Sequence, residues 1–399
     1  MMNVVSYKKA IELFTENFSK ILKMETLPVD EAIGRVLSAD VFSEENLPAY
    51  RRSTVDGYAL NSKDAMVCSP SAPSVLKTVG SIEMGQIPQK KLCRGECMYI
   101  PTGGALPDGS DCVAMTEQTE LLGDEAVFST AFSPMQNVVE VGEDFKKGDK
   151  VAAKGTYLSP NVASAIAGTG CKKVDVFKKL KYYIISTGDE LVSYDGELPL
   201  GKIRDVNTIL LSDASPLWEC CGKARVGDDY ELLKKTVLEA TKTSDVVLLS
   251  GGSSVGKQDY TERLLSDFGE IFLRGVAIKP GKPTVAASSG RKMFIGLPGH
   301  PAAAFTVLKT VCLKAYEELL GMKERIKIRA ISDINFAGGK GRTLIMPVRL
   351  YESADKLYFS PLFGKSGMAG SIASADGFAV VPDRIEGIDK GETLDIELL

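Results

Sequence analysis

The chain has 399 residues, 44% of them hydrophobic and 25% charged, with a formal net charge of -4; this is the composition of a folded globular protein, and the length predicts roughly two to four domains. The acidic balance leaves no basic footprint for nucleic acid, no apolar run reaches the ~18 residues needed to span a bilayer, and no basic-then-apolar leader opens the sequence. The expectation is a cytoplasmic protein with neither nucleic-acid nor membrane partners.

Residues 6–19 carry Ala10, Ile11, Phe14 and Phe18 at helical spacing, and 29–37 reads as a second short helix before an extended segment. From about 50 to 140, short β-like runs (VDGYAL, CMYIP, DCVAMTE) are punctuated by Gly and Pro and predict a β-rich unit. Residues 161–169 then read as a helix returning to the first domain, which makes the β-rich unit an insertion. From 181 to about 321 the strand-like runs KYYIIST, ARVGD, DVVLLS and IFLRGVAI alternate with helices at 208–221, 230–243, 259–268 and 301–320. That alternation predicts a mostly parallel sheet covered on both faces, with ligands at the carboxyl ends of its strands. After Arg325, hairpin-like spacing predicts a small barrel or sandwich. The domain bounds expected are 1–48 with 141–178, 49–140, 179–324 and 325–399.

The one histidine, His300, and eight cysteines without C-x-x-C spacing argue against a histidine-based zinc site, a Ser-His-Asp triad and a disulfide framework. Chemistry here must rest on Asp, Glu, Lys and backbone N–H groups. The loops TGDEL, GDD, GGSSVGKQD and IKPGKP all follow predicted strands and are expected on one rim. In DVVLLSGGSSVGKQDY, Gly251, Gly256 and Lys257 fit G-x-x-x-x-G-K, yet Gln258 stands where a P-loop needs Ser or Thr. The loop therefore reads as anion-binding, with Asp259 the nearest oxygen ligand for a cation. Asp189 or Glu190 supplies a second carboxylate from a neighbouring strand end; the plain alternative is an acidic first turn of a helix. Lys279 and Lys282 place two ammonium groups on a proline-stiffened turn that suits a small polyanion, where the alternative is a solvated basic turn. Pro298 and Pro301 carry ordinary helix-start signals, and His300 reads either as a hydrogen-bonding pocket residue or as a satisfied structural or surface histidine. Asp56 in STVDGYA and Thr102 in PTGG each read alone as turn residues, and Asp144 as part of a solvated acidic loop.

Taken together and in this order, STVDGYA, PTGG, GED, STGDEL, GDD, GGSSVGKQDY, IKPGKP and LPGHP resemble the molybdopterin molybdenumtransferase family, the MoeA proteins and the related E-domain of gephyrin, over essentially the whole chain. The resemblance implies an elongated subunit of multidomain α/β plus β class. Its parts are a helical domain, a β-rich insertion, a MogA/MoaB-like three-layer α/β domain with a mostly parallel sheet, and a C-terminal β-barrel-like domain. It also implies a homodimer that inserts molybdate into adenylyl-molybdopterin, requires Mg²⁺ and releases AMP. Transient contacts with a molybdopterin adenylyltransferase and with molybdoenzyme maturation factors are implied as well. Carried over by motif, Asp56, Glu190, Asp228 and Asp259 are catalytic, and Glu190 and Asp259 hold the metal. Substrate contacts fall to Thr102 and Asp144, to Thr187, Gly188, Gly251, Gly252, Ser254 and Gly256 of the rim, and to Lys279, Lys282, Pro298, Pro301 and Ser371.

Three positions depart from the family pattern. Lys257 stands where many members carry an acid, His300 replaces the commoner Asn, and Pro347 falls where relatives place an arginine, leaving Arg342 or Arg349 as a replacement. The alternatives are a tungstate-preferring homologue, a catalytically impaired member serving as cofactor carrier or scaffold, and a P-loop-like nucleotidase.

Overall fold

The structure is a computed structural model that describes residues 4–251, 257–364 and 370–399, with the side chains of 257–259 outside that description. The first helix, Tyr7–Ser19, begins where Ser6 Oγ accepts the Lys9 N–H at 3.2 Å, satisfying one of the donors left over at a helix start. Its apolar stripe is buried. Phe18 meets Trp218 and Tyr316 edge-on at ring distances of 5.7 and 5.4 Å, and Phe14 meets Phe272 at 5.4 Å, so the helix shares one core with the α/β unit.

Residues 29–37, expected as a helix, form turns instead. The strand Met24–Pro28 pairs antiparallel with Lys173–Phe177, and Gly34 at φ +82° sends the chain out of any right-handed helix. Helix Pro160–Gly168 matches its expectation. Between these segments lies a six-stranded sheet in which Gly57–Leu60 is flanked antiparallel by Glu96–Ile100 and Cys112–Met115. Its two clusters of buried side chains are drawn from its own residues.

In the α/β unit, strand Leu180–Thr187 lies parallel to Trp218–Val226 on one side and to Val246–Ser250 on the other, and Lys292–Leu297 follows in parallel. Strands Val285–Ser289 and Glu270–Arg274 complete the sheet in antiparallel fashion, so it is mixed. Strand order reverses at Leu180–Thr187, the kind of switch point where a crevice opens. Of the helix expected at 208–221 only Asn207–Leu210 is helical. Pro216 cannot continue it, and the buried Trp218 starts an edge strand instead. The 301–320 helix is Pro301–Val307, a π-helical turn Leu308–Cys312, then Leu313–Leu320, ended by Gly321 at φ +74°.

The C-terminal strands close on themselves. In the order Thr343–Ser353, Lys356–Pro361, Lys327–Ser332, Thr393–Leu398, Gly377–Val381, the last pairs back to the first and makes a five-stranded barrel. The short strand Ile278–Lys279 of the preceding unit adds in parallel to Thr343 and Leu344. That seam joins barrel to sheet. Among the described residues no helix is long and apolar enough to cross a membrane.

Candidate functional site

Four parallel strands end together at Thr187, Val226, Ser250 and Leu297, and their loops form one rim. Gly188 N–H donates to Val226 O at 3.2 Å, Asp228 N–H donates to Asp189 Oδ1 at 3.0 Å, and Thr187 Oγ1 lies 3.4 Å from Asp228 Oδ1. The first two loops are thus tied to each other. Gly251 has φ +142°, and a Cβ there would stand 2.2 Å from Thr187 O, so the third loop must begin with glycine to pass so close to the first. Gly188, at φ +153°, similarly has the Glu190 carboxylate where a Cβ would sit.

Glu190 and Asp189 are exposed, and Lys202 Nζ donates to Asp189 O at 2.7 Å. Tyr260, in the helix Lys257–Ser266, has a buried hydroxyl with no hydrogen-bond partner among the described residues. Burial first, then the charges of Asp228, Asp229, Tyr230 and Asp189, push that phenol above its ordinary value. Gly252, Ser254 and Gly256 lie outside the described residues, as do the side chains of Lys257, Gln258 and Asp259. Among the described residues no group of three His, Cys, Asp or Glu side chains stands ready to hold a metal.

Sequence reasoning missed Asp205 and Asn207. Both are buried at the same rim. Asp205 Oδ1 accepts from Ser186 Oγ at 3.0 Å and from Thr208 N at 3.1 Å, while Asn207 Nδ2 donates to Ser250 Oγ at 2.6 Å and to Gly299 O at 2.8 Å. The available signal was an Asp and an Asn two residues apart, just before the stretch 208–221 that was read as a plain helix.

Between the α/β unit and the barrel lies a cavity of about 890 Å³. Lys279, Lys282, Pro298, His300, Arg342, Pro347 and Ser371 all contribute to its walls. Gly281, at φ +120°, would place a Cβ 2.6 Å from Val307 Cγ2, so the turn bearing both lysines is pressed against the helix behind it. IKPGKP was expected to leave a strand of the main sheet. Instead Ile278–Lys279 pairs with the barrel, and the turn leads into the antiparallel strand Val285–Ser289, whose start lies beside Gly296 at the same rim. Of the two arginines considered as replacements at this wall, Arg342 lines the cavity, whereas Arg349 is exposed and is not among the lining residues. Pro347 is itself part of the wall, and Pro301 occupies the first turn of its helix rather than the lining.

The inserted sheet carries a separate pair. Asp56 Oδ1 accepts the Thr102 N–H at 2.7 Å and the Thr102 hydroxyl at 2.9 Å, and these two donors, the backbone one first, hold the Asp56 carboxyl below its ordinary value. Asp144 is exposed in a turn where its N–H donates to Leu47 O at 3.0 Å. Among the described residues no hydrogen bond or ion pair joins Asp56, Thr102 or Asp144 to the rim or to the cavity.

Comparison with known proteins covers nearly the whole chain. Residues 5–170 match the MoeA N-terminal region (domains I and II), 183–318 a probable molybdopterin binding domain, and 329–399 the MoeA C-terminal region (domain IV). The molybdopterin molybdenumtransferase of Haemophilus influenzae is 31% identical over 381 residues, covering 94% of this chain and 93% of its own length. That of Staphylococcus aureus (strain Mu50) is 30% identical over 403 residues, covering 99% and 96%. The crystal structure of the molybdopterin biosynthesis MoeA protein from Pyrococcus horikoshii OT3 superposes with a TM-score of 0.84 at 28% identity over the full length of both chains.

Proposed function

Because the chain belongs to the molybdopterin molybdenumtransferase (MoeA) family, transferases of molybdenum cofactor biosynthesis, we propose that it inserts molybdate into adenylylated molybdopterin and releases AMP in a Mg²⁺-dependent step. The observation that carries this reading is the cavity of about 890 Å³ at the sheet–barrel seam, with Lys279, Lys282 and Arg342 in its walls and the glycine-rich rim alongside.

A dianionic oxyanion needs compact positive charge and a hydroxyl donor, which the two lysines, Arg342 and Ser371 supply. The apolar part of the wall, with Ile345, Met346 and Leu362, lowers the local dielectric and strengthens those contacts. The pyrophosphate link fits the rim, where Gly188 and Gly251 follow directly on the strand ends and let backbone come close to phosphate oxygens. Holding molybdate and the pyrophosphate on adjoining loops places the dithiolene sulfurs against the oxyanion, so positioning does most of the work. Carboxylate oxygens suit a hard cation, and Glu190 and Asp259 are the residues that would hold Mg²⁺. When bound, that ion supplies charge neutralisation on the phosphoanhydride.

The inserted sheet, with Asp56 and Thr102, and the neighbouring Asp144 complete the site from a second subunit of a homodimer. The protein acts in the cytoplasm and hands substrate and product to an adenylyltransferase and to maturation factors. Purified protein is to be mixed with adenylyl-molybdopterin, Mg²⁺ and molybdate. AMP release that depends on both ions is expected, and its absence at every molybdate concentration would favour a carrier or scaffold instead.

A further inference from the structure

His300 is the only histidine in the chain, and the proposed function gives it no task. Its backbone is fixed from both sides. Pro301 follows it, and a residue before proline is held to extended backbone, as the φ of -71° and ψ of 126° at His300 show. The His300 carbonyl accepts the Ala304 N–H at 3.0 Å, and the preceding Gly299 O accepts from Asn207 Nδ2 at 2.8 Å. The ring takes no part in capping the helix Pro301–Val307 that it heads. It lines the cavity between the α/β unit and the barrel instead.

The charge of that wall has one sign. Lys279 and Lys282 come from the turn and Arg342 from the barrel, and among the described residues that line the cavity there is no carboxylate. Lys279, Lys282 and His300 are exposed, so solvent and an anion carried in it reach all three. Lysine and arginine stay charged throughout the neutral range, whereas imidazole gains its charge there. His300 is therefore the group of this wall whose charge is set by pH near neutrality. An imidazolium presents two N–H donors where neutral imidazole has one donor and one acceptor, and an opposite charge a few ångströms away favours the charged form. On the proposed function, on which this inference rests, a dianionic oxyanion occupies the cavity. We infer that the His300 imidazolium is a fourth cationic contact of that oxyanion, so that oxyanion binding takes up a proton and tightens on acidification through the neutral range. The sign follows from linkage, since a site that holds more protons with its ligand than without gains affinity as pH falls. The lysines and Arg342 hold the ion at every pH in that range, and His300 makes the strength of the hold pH-dependent.

A chain with one histidine gives one imidazole signal, so the titration can be followed without assignment. Histidine-labelled full-length protein is to be titrated with pH by NMR, with and without saturating sodium molybdate. Molybdate is expected to raise the midpoint of the imidazole titration by about half to one pH unit. Calorimetry is then expected to show molybdate bound about three- to tenfold more tightly at about pH 6 than at about pH 8, and His300→Gln to bind it within about twofold across the same interval. In the double variant Lys279→Ala with Lys282→Ala, at the same molybdate concentration, the rise in midpoint is expected to vanish. An unmoved midpoint in the unaltered protein would make His300 a surface histidine and overturn the inference, and so would an equal pH dependence of affinity in His300→Gln. A midpoint that still rises in the double lysine variant would put the ion outside the cavity and overturn it as well. The NMR arm needs no substitution, so it decides even if a variant fails to fold. A rising midpoint in protein that never releases AMP would sink the proposed function and leave this inference standing, whereas AMP release with an unmoved midpoint does the reverse.

Discussion

A methyl group at Gly251 would meet the Thr187 carbonyl oxygen at 2.2 Å, with the backbone already at φ +142°. Gly251→Ala is expected to destabilise the protein by about 1–3 kcal/mol and to lower AMP release as the loop retreats, checked by denaturant midpoint and turnover. Asp56 offers a subtler case. Its carboxylate is favoured by the Thr102 N–H first and the hydroxyl second, so its folded value lies below its unfolded one. The contribution of that tie is complete above the ordinary carboxylate range and is lost as pH falls through the lowered value. Thr102→Val removes only the hydroxyl, so the Asp56 titration followed by carbon NMR is expected to move part of the way back up. The sequence shows Asp56 and Thr102 as two ordinary turns separated by 46 positions. Only the pairing of Gly57 with Ile100 brings them together, and residue patterns within either turn carry no information about that partner.

The helix Tyr7–Ser19 was legible because its capping residue and its apolar spacing are both local signals. What covers it was not. Phe14 and Phe18 are fully buried against rings contributed by residues 218, 272 and 316. Phe18→Ala is expected to cost about 3–5 kcal/mol and to lower the midpoint of the α/β unit's unfolding, read by near-UV dichroism around Trp218. The failed readings have a common cause. Residues 29–37 and 208–221 have helical composition, but Gly34 and Pro216 break them, and the demand of Leu180–Thr187 for an edge partner draws 218–226 into a strand. Strands Val285–Ser289 and Lys292–Leu297 went unassigned because the first is partly Ala and Ser, weak strand formers that a buried ladder tolerates. Their pairing matters for function, since it brings both the lysine turn and LPGHP to the shared rim.

At the scale of the molecule, the site is made of seams. Arg342 belongs to the barrel, the two lysines to the unit before it, and the cavity exists because Ile278–Lys279 joins the barrel's strand Thr343–Ser353. Pro347 stands where the family resemblance places a charge at this wall, so on the proposed function Arg342 carries a larger share of oxyanion binding. Arg342→Ala is accordingly expected to raise the apparent KM for molybdate about tenfold or more with a smaller effect at saturation, measured by AMP release at varied molybdate. The proposed homodimer adds a seam between subunits. Asp56 sits on an insertion whose core is its own, and no bond among the described residues links it to the rim of the same chain. On the proposed function, in which Asp56 is needed for turnover, that separation has it acting on another copy. Asp56→Ala and Asp259→Ala are each expected to abolish AMP release as homodimers. Co-expression of the two variants with different tags, followed by tandem purification of the mixed dimer, restores one intact site and with it roughly half the activity of the unaltered dimer. A mixed dimer as inactive as its parents would place Asp56 and Asp259 in the same chain's site and remove the inserted sheet's role across the interface.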